Sequence, residues 1–220
     1  MFGRDSGSGS EEFETRRERM VESLVDSDRI ERDSTVEAME TVPRHEFVPE
    51  CRRDDAYADR PLPIGADQTI SAPHMVGIMC DLLELEEGET VLEVGTGCGY
   101  HAAVTAEIVG DGNVYSVEYV DRLAGAARER LADLGYDVAV RVGDGHEGWP
   151  EHAPYDAAYL TCATASLPDA VVEQLRTGGR LVAPVGTASQ TLVWAAKTGG
   201  GLRRESHGAV RFVRMQGGDG

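Results

Sequence analysis

Lysine is nearly missing from this chain of 220 residues: Lys197 stands alone, and every other basic residue is an arginine. Long apolar runs are missing as well. No stretch approaches the ~18–20 apolar residues that a bilayer-spanning helix needs, so a helical membrane protein is not expected. The opening Met1-Phe2-Gly3-Arg4-Asp5-Ser6-Gly7-Ser8-Gly9-Ser10 has no apolar core. It reads as part of a disordered leader over residues 1–12, not as a signal peptide, and a cytoplasmic location follows. The four cysteines, Cys51, Cys80, Cys98 and Cys162, show no C-x-x-C spacing and have no paired histidines nearby. Neither a metal site nor a disulfide framework is expected, only free thiols that are buried or half-buried.

Carboxylate is what the chain has in excess, with 39 acidic against 21 basic residues and a net charge of −18. Such a balance repels a phosphate backbone, so no nucleic-acid partner is expected. The acids are spread along the chain instead of gathered in a tail. They read as a surface suited to high salt, where screening removes much of the self-repulsion. With 41% hydrophobic residues there is enough apolar material for one core. A single monomeric domain over residues 13–216 is expected.

Spacings of three and four among Phe13, Met20, Val21, Leu24 and Val25 predict an amphipathic helix that covers the rest of the fold. Asp33-Ser34-Thr35 can cap a second helix carrying Val36, Met39 and Val42, which Pro43 ends. Pro43–Pro49 reads as an extended connector. The stretch from Ala56 to Ser71 has too little periodicity for a regular element, and a long ordered loop of this kind is commonly functional. Residues 13–72 thus form an N-terminal part and residues 73–216 the core.

From Pro73 the pattern changes. Met75, Val76, Met79, Leu82 and Leu83 recur at helical spacing. Strands are expected at Thr90–Val94, Asn113–Glu118, Asp137–Val142, Asp156–Thr161 and Arg180–Pro184. Helices fall between them at Tyr100–Val109, Arg122–Leu134 and Leu167–Leu175. This alternation predicts an α/β fold, a doubly wound and mostly parallel sheet. Thr191–Lys197 and Gly208–Met215 add a C-terminal antiparallel pair.

Where the first core strand turns into a helix, the chain reads Glu93-Val94-Gly95-Thr96-Gly97-Cys98-Gly99-Tyr100. Glycines at Gly95, Gly97 and Gly99 permit a tight turn and a close backbone approach to a ligand. The G-x-G-x-G spacing differs from the G-x-G-x-x-G of dinucleotide sites. Glu93 before the loop suits a ligand with positive charge, which favours S-adenosylmethionine over a nicotinamide dinucleotide. Glu118 closes the next strand about 20 residues on, where a ribose-binding acid is expected. Asp144, in Gly143-Asp144-Gly145, closes the third and could accept a hydrogen bond from an adenine amino group. Thr161 ends the fourth. Ligands bind open α/β sheets at the carboxyl ends of strands near the switch point, where these acids would converge.

Several segments stand together in a familiar order: Pro61–Gly65, Gln68-Thr69-Ile70-Ser71-Ala72-Pro73-His74-Met75, Leu92–Tyr100, Gly143-Asp144-Gly145, Ala153–Asp156, Gly178–Gly186 and Val210-Arg211-Phe212. From about Val42 to Met215 the chain resembles the protein-L-isoaspartate (D-aspartate) O-methyltransferases, and Gln68–Met75 is the most specific segment. The resemblance implies a methyl transfer from S-adenosylmethionine, without a metal, to the free α-carboxylate of isoaspartyl residues in damaged proteins. It implies Ser71 and Thr69 as catalytic residues, Ser71 being the active-site hydroxyl, with Thr69, Ile70, Ser71, His74 and Val213 against the substrate. It also implies Glu93, Gly95, Thr96, Gly97, Gly99, Tyr100, Glu118, Asp144, Gly145 and Thr161 around the cofactor. A related enzyme acting on another carboxylate or a small molecule, and a non-catalytic binding homologue, are the alternatives. Three departures fall elsewhere: Asp67 where the family commonly has glycine, Thr161–Pro168 in place of an alanine-rich version, and Arg214-Met215 where Pro and Leu usually follow the valine.

Overall fold

The computed structural model describes the chain from residue 6 to residue 218, with side chains from residue 11 onward. Six helices run over Ser6–Asp26 (α1), Asp33–Thr41 (α2), Pro73–Leu83 (α3), Tyr100–Val109 (α4), Asp121–Asp133 (α5) and Asp169–Glu173 (α6). Nine strands run over Leu62–Gly65 (β1), Gln68–Ile70 (β2), Val91–Val94 (β3), Val114–Glu118 (β4), Val138–Val142 (β5), Tyr155–Leu160 (β6), Leu175–Val185 (β7), Gln190–Thr198 (β8) and Gly201–Val210 (β9).

β3 is buried at every position, which is the signature of a central strand covered on both faces. The seven-stranded sheet has the order β5-β4-β3-β6-β7-β8-β9. β5 through β7 run parallel, and β8 and β9 add an antiparallel pair. The order reverses between β3 and β6, so a crevice opens at the carboxyl ends of those two strands. Side chains alternate across the sheet. Val91, Val114 and Tyr159 join the core under α1 to α5, while Leu92, Val94 and Leu160 join the core on the α6 side. The predicted α/β architecture is therefore the observed one, and α4 has the predicted ends.

The differences lie mostly before Pro73. α1 begins at Ser6, so residues 6–12 of the expected disordered leader are helical, and residues 1–5 lie outside the described residues. A helix already nucleated from Glu11 onward adds one hydrogen bond for each further residue it fixes, which lets it extend back through Gly and Ser. The N-cap of α2 is Arg32, not the Asp33-Ser34-Thr35 run, and no side chain of the helix caps it. Asp81 of α3 instead accepts the Glu31 and Arg32 N–H groups at 2.6 and 3.4 Å. The connector expected to be extended contains a 3₁₀ turn at Arg44–Phe47, followed by another at Glu50–Asp55.

The Ala56–Ser71 stretch is not without regular structure, because β1 and β2 pair antiparallel within it. Their two-residue loop, Ala66-Asp67, has positive φ at both positions, +52° and +56°. That is what a type I′ hairpin turn requires. Asp67 is thus a left-handed residue, and aspartate tolerates this region better than most side chains. At the other end, β9 precedes the predicted Gly208–Met215 strand by several residues. β7 begins at Leu175, well before Arg180, and α6 is shorter than predicted. Of the thiols, Cys80 and Cys98 are buried and Cys162 half-buried as expected, but Cys51 is exposed.

Candidate active site

A cavity opens in the crevice at the β3/β6 switch point, the place where open α/β sheets take ligands. Glu93, Gly95, Thr96, Gly97, Tyr100, Glu118, Gly145 and Thr161 of the predicted cofactor set line it. Thr69, Ile70, Ser71 and Val213 line it as well. A second cleft lies beside it and includes His74 and the Ala209–Val213 segment. The two share four lining residues: Thr69, Ser71, Thr161 and Val213. The two cavities therefore meet at three hydroxyl-bearing residues and a valine, all singled out in the sequence.

The glycine loop is shaped by contacts that exclude a side chain. Gly95 has φ +99°, and a Cβ there would collide with Thr161 Oγ1. That hydroxyl donates to the Gly95 carbonyl at 2.5 Å, so the end of β6 is stapled to the loop after β3. Gly97 N–H donates to Glu118 Oε2 at 2.8 Å, and Val120 N–H donates to Oε1 at 2.9 Å. Glu118 is buried. Two backbone donors fix its carboxylate and leave lone pairs for a ligand, the arrangement a ribose hydroxyl pair can use.

Glu93 sits deeper than the sequence suggests. The register aligns Ser116 of β4, Glu93 of β3 and Tyr159 of β6 in one row on the α4 face. Ser116 donates to one carboxyl oxygen of Glu93, and Tyr159 donates to the other at 3.1 Å. Thr96 Oγ1 lies 2.5 Å from Ser116 Oγ, and Thr105 Oγ1 lies 2.9 Å from the Tyr159 hydroxyl. The row thus ties the glycine loop to helix α4. Burial pushes the Glu93 carboxyl up to about 8, against the pull of its two hydrogen bonds. At pH 7 it is largely the neutral acid, so it offers a cation less than the full charge read from the sequence. His101 stacks on Tyr159 with ring centroids 4.1 Å apart and is pushed down to about 3 by burial, so it is neutral there.

Three predicted residues do not line the first cavity. Gly99, φ +91°, is the N-cap of α4, and a Cβ there would meet Leu131 at 3.2 Å, so it serves helix packing. Asp144 lies beside the cavity. Its Oδ1 accepts from His146 N and Nδ1 at 2.9 and 2.8 Å, and its Oδ2 accepts from Gly218 N–H at 2.6 Å. His74 belongs to the second cleft alone, where its Nδ1 is 2.8 Å from Asp59 Oδ1.

Sequence reasoning missed Asp59, whose Oδ1 also accepts the His74 N–H at 3.0 Å and so caps α3. Its separation from α3 in the chain left no local signal. It missed Cys162, His101 and Gln216 in the cavity lining too. Gln216 arrives because the chain after β9 crosses back to β6: Ala163 N–H donates to the Val213 carbonyl at 2.7 Å, and Met215 N–H donates to the Ala163 carbonyl at 2.8 Å. That crossing also brings Val213 to the junction. Among the described residues no group of His, Cys, Asp and Glu side chains could hold a metal ion.

Comparison with known proteins decides the family. Residues 15–220 match the model of the family described as protein-L-isoaspartate(D-aspartate) O-methyltransferase (PCMT). The chain belongs to it. The chain is 53% identical over 209 residues to protein-L-isoaspartate O-methyltransferase 2 of Archaeoglobus fulgidus, covering 94% of this chain and 95% of that one. It is 49% identical over 213 residues to protein-L-isoaspartate O-methyltransferase of Methanopyrus kandleri, covering 94% of each. A solved protein-L-isoaspartate O-methyltransferase superposes with a TM-score of 0.84 at 29% identity, over 91% of this chain and 66% of that one. The fold also matches that of a putative protein-L-isoaspartate O-methyltransferase from Plasmodium falciparum, solved in complex with S-adenosyl-L-homocysteine. That match has a TM-score of 0.80 at 23% identity, over 91% of this chain and 98% of that one. As a member of the family, the protein is an S-adenosylmethionine-dependent methyltransferase acting on carboxylate oxygen of isoaspartyl residues.

Proposed function

We propose that Ser71 and Thr69 hold the free α-carboxylate of an isoaspartyl residue at the junction of the two cavities, facing the cofactor side. The observation that carries this reading is the shared lining at Thr69, Ser71, Thr161 and Val213. Glycine loop, Glu118 and Thr161 fit an S-adenosylmethionine site, because Gly95 admits no Cβ and Glu118 is fixed by two backbone donors. When bound, the cofactor supplies an activated methyl group. A carboxylate is already ionised at neutral pH, since model values lie near 4, so no general base is needed.

The protein's work is to align the acceptor oxygen and to strip water from it. The Ser71 hydroxyl donates a hydrogen bond to the carboxylate oxygen that does not react, and Thr69 flanks it. Ile70 and Val213 supply apolar walls, and His74, held by Asp59, lies further along the second cleft. Asp144 reaches an adenine amino group only if its bond to Gly218 N–H is exchanged. The product methyl ester then collapses to a succinimide without further help from the enzyme, and hydrolysis restores some normal aspartyl linkages.

No helix among the described residues is long and apolar enough to cross a membrane. Our reading adds a cytoplasmic, monomeric enzyme with one methyltransferase domain over residues 13–216, no nucleic-acid partner, and an acidic surface adapted to salt. The deciding experiment is transfer of labelled methyl from S-adenosylmethionine to a synthetic isoaspartyl peptide and to its normal aspartyl twin, in salt that keeps the protein folded. A base-labile methyl ester on the isoaspartyl peptide alone is the expected result. Binding of the cofactor with no ester formed on either peptide would overturn the catalytic reading.

A further inference from the structure

The Pro43–Pro49 segment carries a buried arginine that no step above uses. Arg44 has no exposed surface. The groups around it that favour its charge are Tyr100, Cys98 and Tyr57, none of them a carboxylate, and desolvation lowers its pKa. Its fork is spent on main chain: Nε donates to the Ala56 carbonyl at 2.8 Å, and Nη2 donates to the Ser71 carbonyl at 2.8 Å. Nη1 is buried without a partner. The guanidinium lies 4.8 Å from the centroid of the Tyr100 ring, a cation–π distance. Tyr100 opens α4 directly behind the glycine loop and lines the cofactor cavity.

A buried guanidinium with no counter-ion and one orphan nitrogen is a costly way to fill a core. An apolar side chain would fill the same volume at lower cost. What an apolar residue could not do is bind two carbonyls from separate segments while placing a cation over an aromatic ring. Ser71 stands between β2 and α3, and α3 has no cap from its own N-cap residue, Ala72. The Ser71 carbonyl is the point where a rigid donor can set the peptide plane, and with it the direction of the hydroxyl.

We propose that Arg44 is a positioning residue for methyl transfer, fixing Ser71 relative to the cofactor loop through its carbonyl bond and its contact with Tyr100. Arg44 lines neither cavity, so it acts through Ser71 and touches no reactant. The inference rests on the role given to Ser71. Lysine at this position keeps the charge but has no fork and no flat face, so it cannot serve both carbonyls and the ring together.

The test compares Arg44→Lys, Arg44→Met and Ser71→Ala with the wild type. The readouts are kcat and KM for an isoaspartyl peptide, S-adenosylhomocysteine affinity and stoichiometry by calorimetry, and Tm. Turnover is expressed per S-adenosylhomocysteine-binding site, which removes any unfolded fraction. Arg44→Lys is expected to lose at least tenfold in kcat per site while cofactor affinity stays within threefold. A residue that merely held the fold together would lower the number of sites and the Tm but leave kcat per site alone. Should Arg44→Met fail to fold, Arg44→Lys decides by itself. A kcat per site within twofold of wild type in Arg44→Lys, with Ser71→Ala impaired, overturns the positioning role and leaves Ser71 standing. Full turnover in Ser71→Ala overturns the role of Ser71, and the positioning of Arg44 through it falls as well.

Discussion

Replacing Glu93 with glutamine tests the buried polar row beneath the cavity at the β3/β6 switch point. Glu93 has no exposed surface and takes hydrogen bonds from Ser116 and Tyr159. Burial displaces its carboxyl from the ordinary 4.5 up to about 8. An unfolded chain sheds this proton near the ordinary value, whereas the folded chain keeps it until the pH approaches 8. Across that window the folded state binds more protons, so stability falls as pH rises. The stabilising contribution is complete below the unfolded pKa and lost above the folded one. At ~1.4 kcal/mol per unit the full displacement corresponds to about 5 kcal/mol, which relaxation and water entry around an ionised Glu93 reduce to about 2–4 kcal/mol.

Glutamine mimics the neutral acid. Its carbonyl can accept from Ser116 and its amide can donate to the Tyr159 oxygen. The Tyr159 hydroxyl then turns to Thr105, 2.9 Å away. Glu93→Gln should therefore match wild type at pH 5 to within about 1 kcal/mol, the size of one exchanged hydrogen bond. At pH 9 it should be the more stable protein by about 2–4 kcal/mol. Urea unfolding in constant high salt from pH 5 to pH 9 measures this. The difference between variant and wild type is the quantity to follow, because the self-repulsion of a chain with net charge −18 enters both. A difference that stays flat with pH would refute the neutral-acid assignment. A variant less stable than wild type at pH 9 would show that the site is built for the carboxylate.

Ser71→Ala should lower kcat about tenfold, the worth of one hydrogen bond to a charged group, with S-adenosylhomocysteine affinity by calorimetry unchanged within twofold. Glu118→Ala frees the Gly97 and Val120 N–H groups and should weaken the cofactor at least tenfold. Asp144→Ala should weaken it less, because Asp144 lies beside the cavity and not in its lining, and equal losses would refute that ordering. Asp67→Gly should raise stability by about 1 kcal/mol, the strain of a left-handed non-glycine residue, read as a higher urea midpoint. Thermal midpoints should climb from dilute buffer to molar sodium chloride as screening relieves carboxylate repulsion, and a midpoint independent of salt would count against the salt-adapted surface.

The α/β core was legible because its local pattern and its tertiary environment agree. Val91–Val94 is an unbroken apolar run apart from Glu93, and α4 is bounded by Gly99 and Gly110, both with positive φ. Periodicity and punctuation alone place such elements. The C-terminal pair shows the opposite case. β9 lies at the sheet edge and is exposed at nearly every position, so it carries no hydrophobic signal. Val210 ends the strand, while Phe212 and Val213, which do carry one, belong to the chain that leaves β9 and crosses to β6. The apolar residues drew the predicted strand toward the segment that returns to the core, so the antiparallel pair was foreseen but its second strand was placed several residues late.

The two halves of the candidate site were readable to different degrees for the same reason. On the side of the glycine loop the groups lie on or just after neighbouring strands: Glu118 at the end of β4 meets Gly97, Thr161 after β6 meets Gly95, and Ser116 within β4 meets Glu93 within β3. Strands and their ends can be read from sequence, so local pattern points to most of this half. On the substrate side, Ser71 and His74 are held by Arg44 and Asp59, residues 27 and 15 positions away in segments with no periodicity. No local pattern announces such bonds; the lack of periodicity marked the loop, and only the resemblance pointed to its residues. The same division predicts how the site responds to damage. The cofactor half is braced by the parallel sheet and should keep its affinity when the substrate loop is perturbed. The substrate half hangs on a few side-chain bonds to main chain, each worth about 1–3 kcal/mol, so its geometry should fail first.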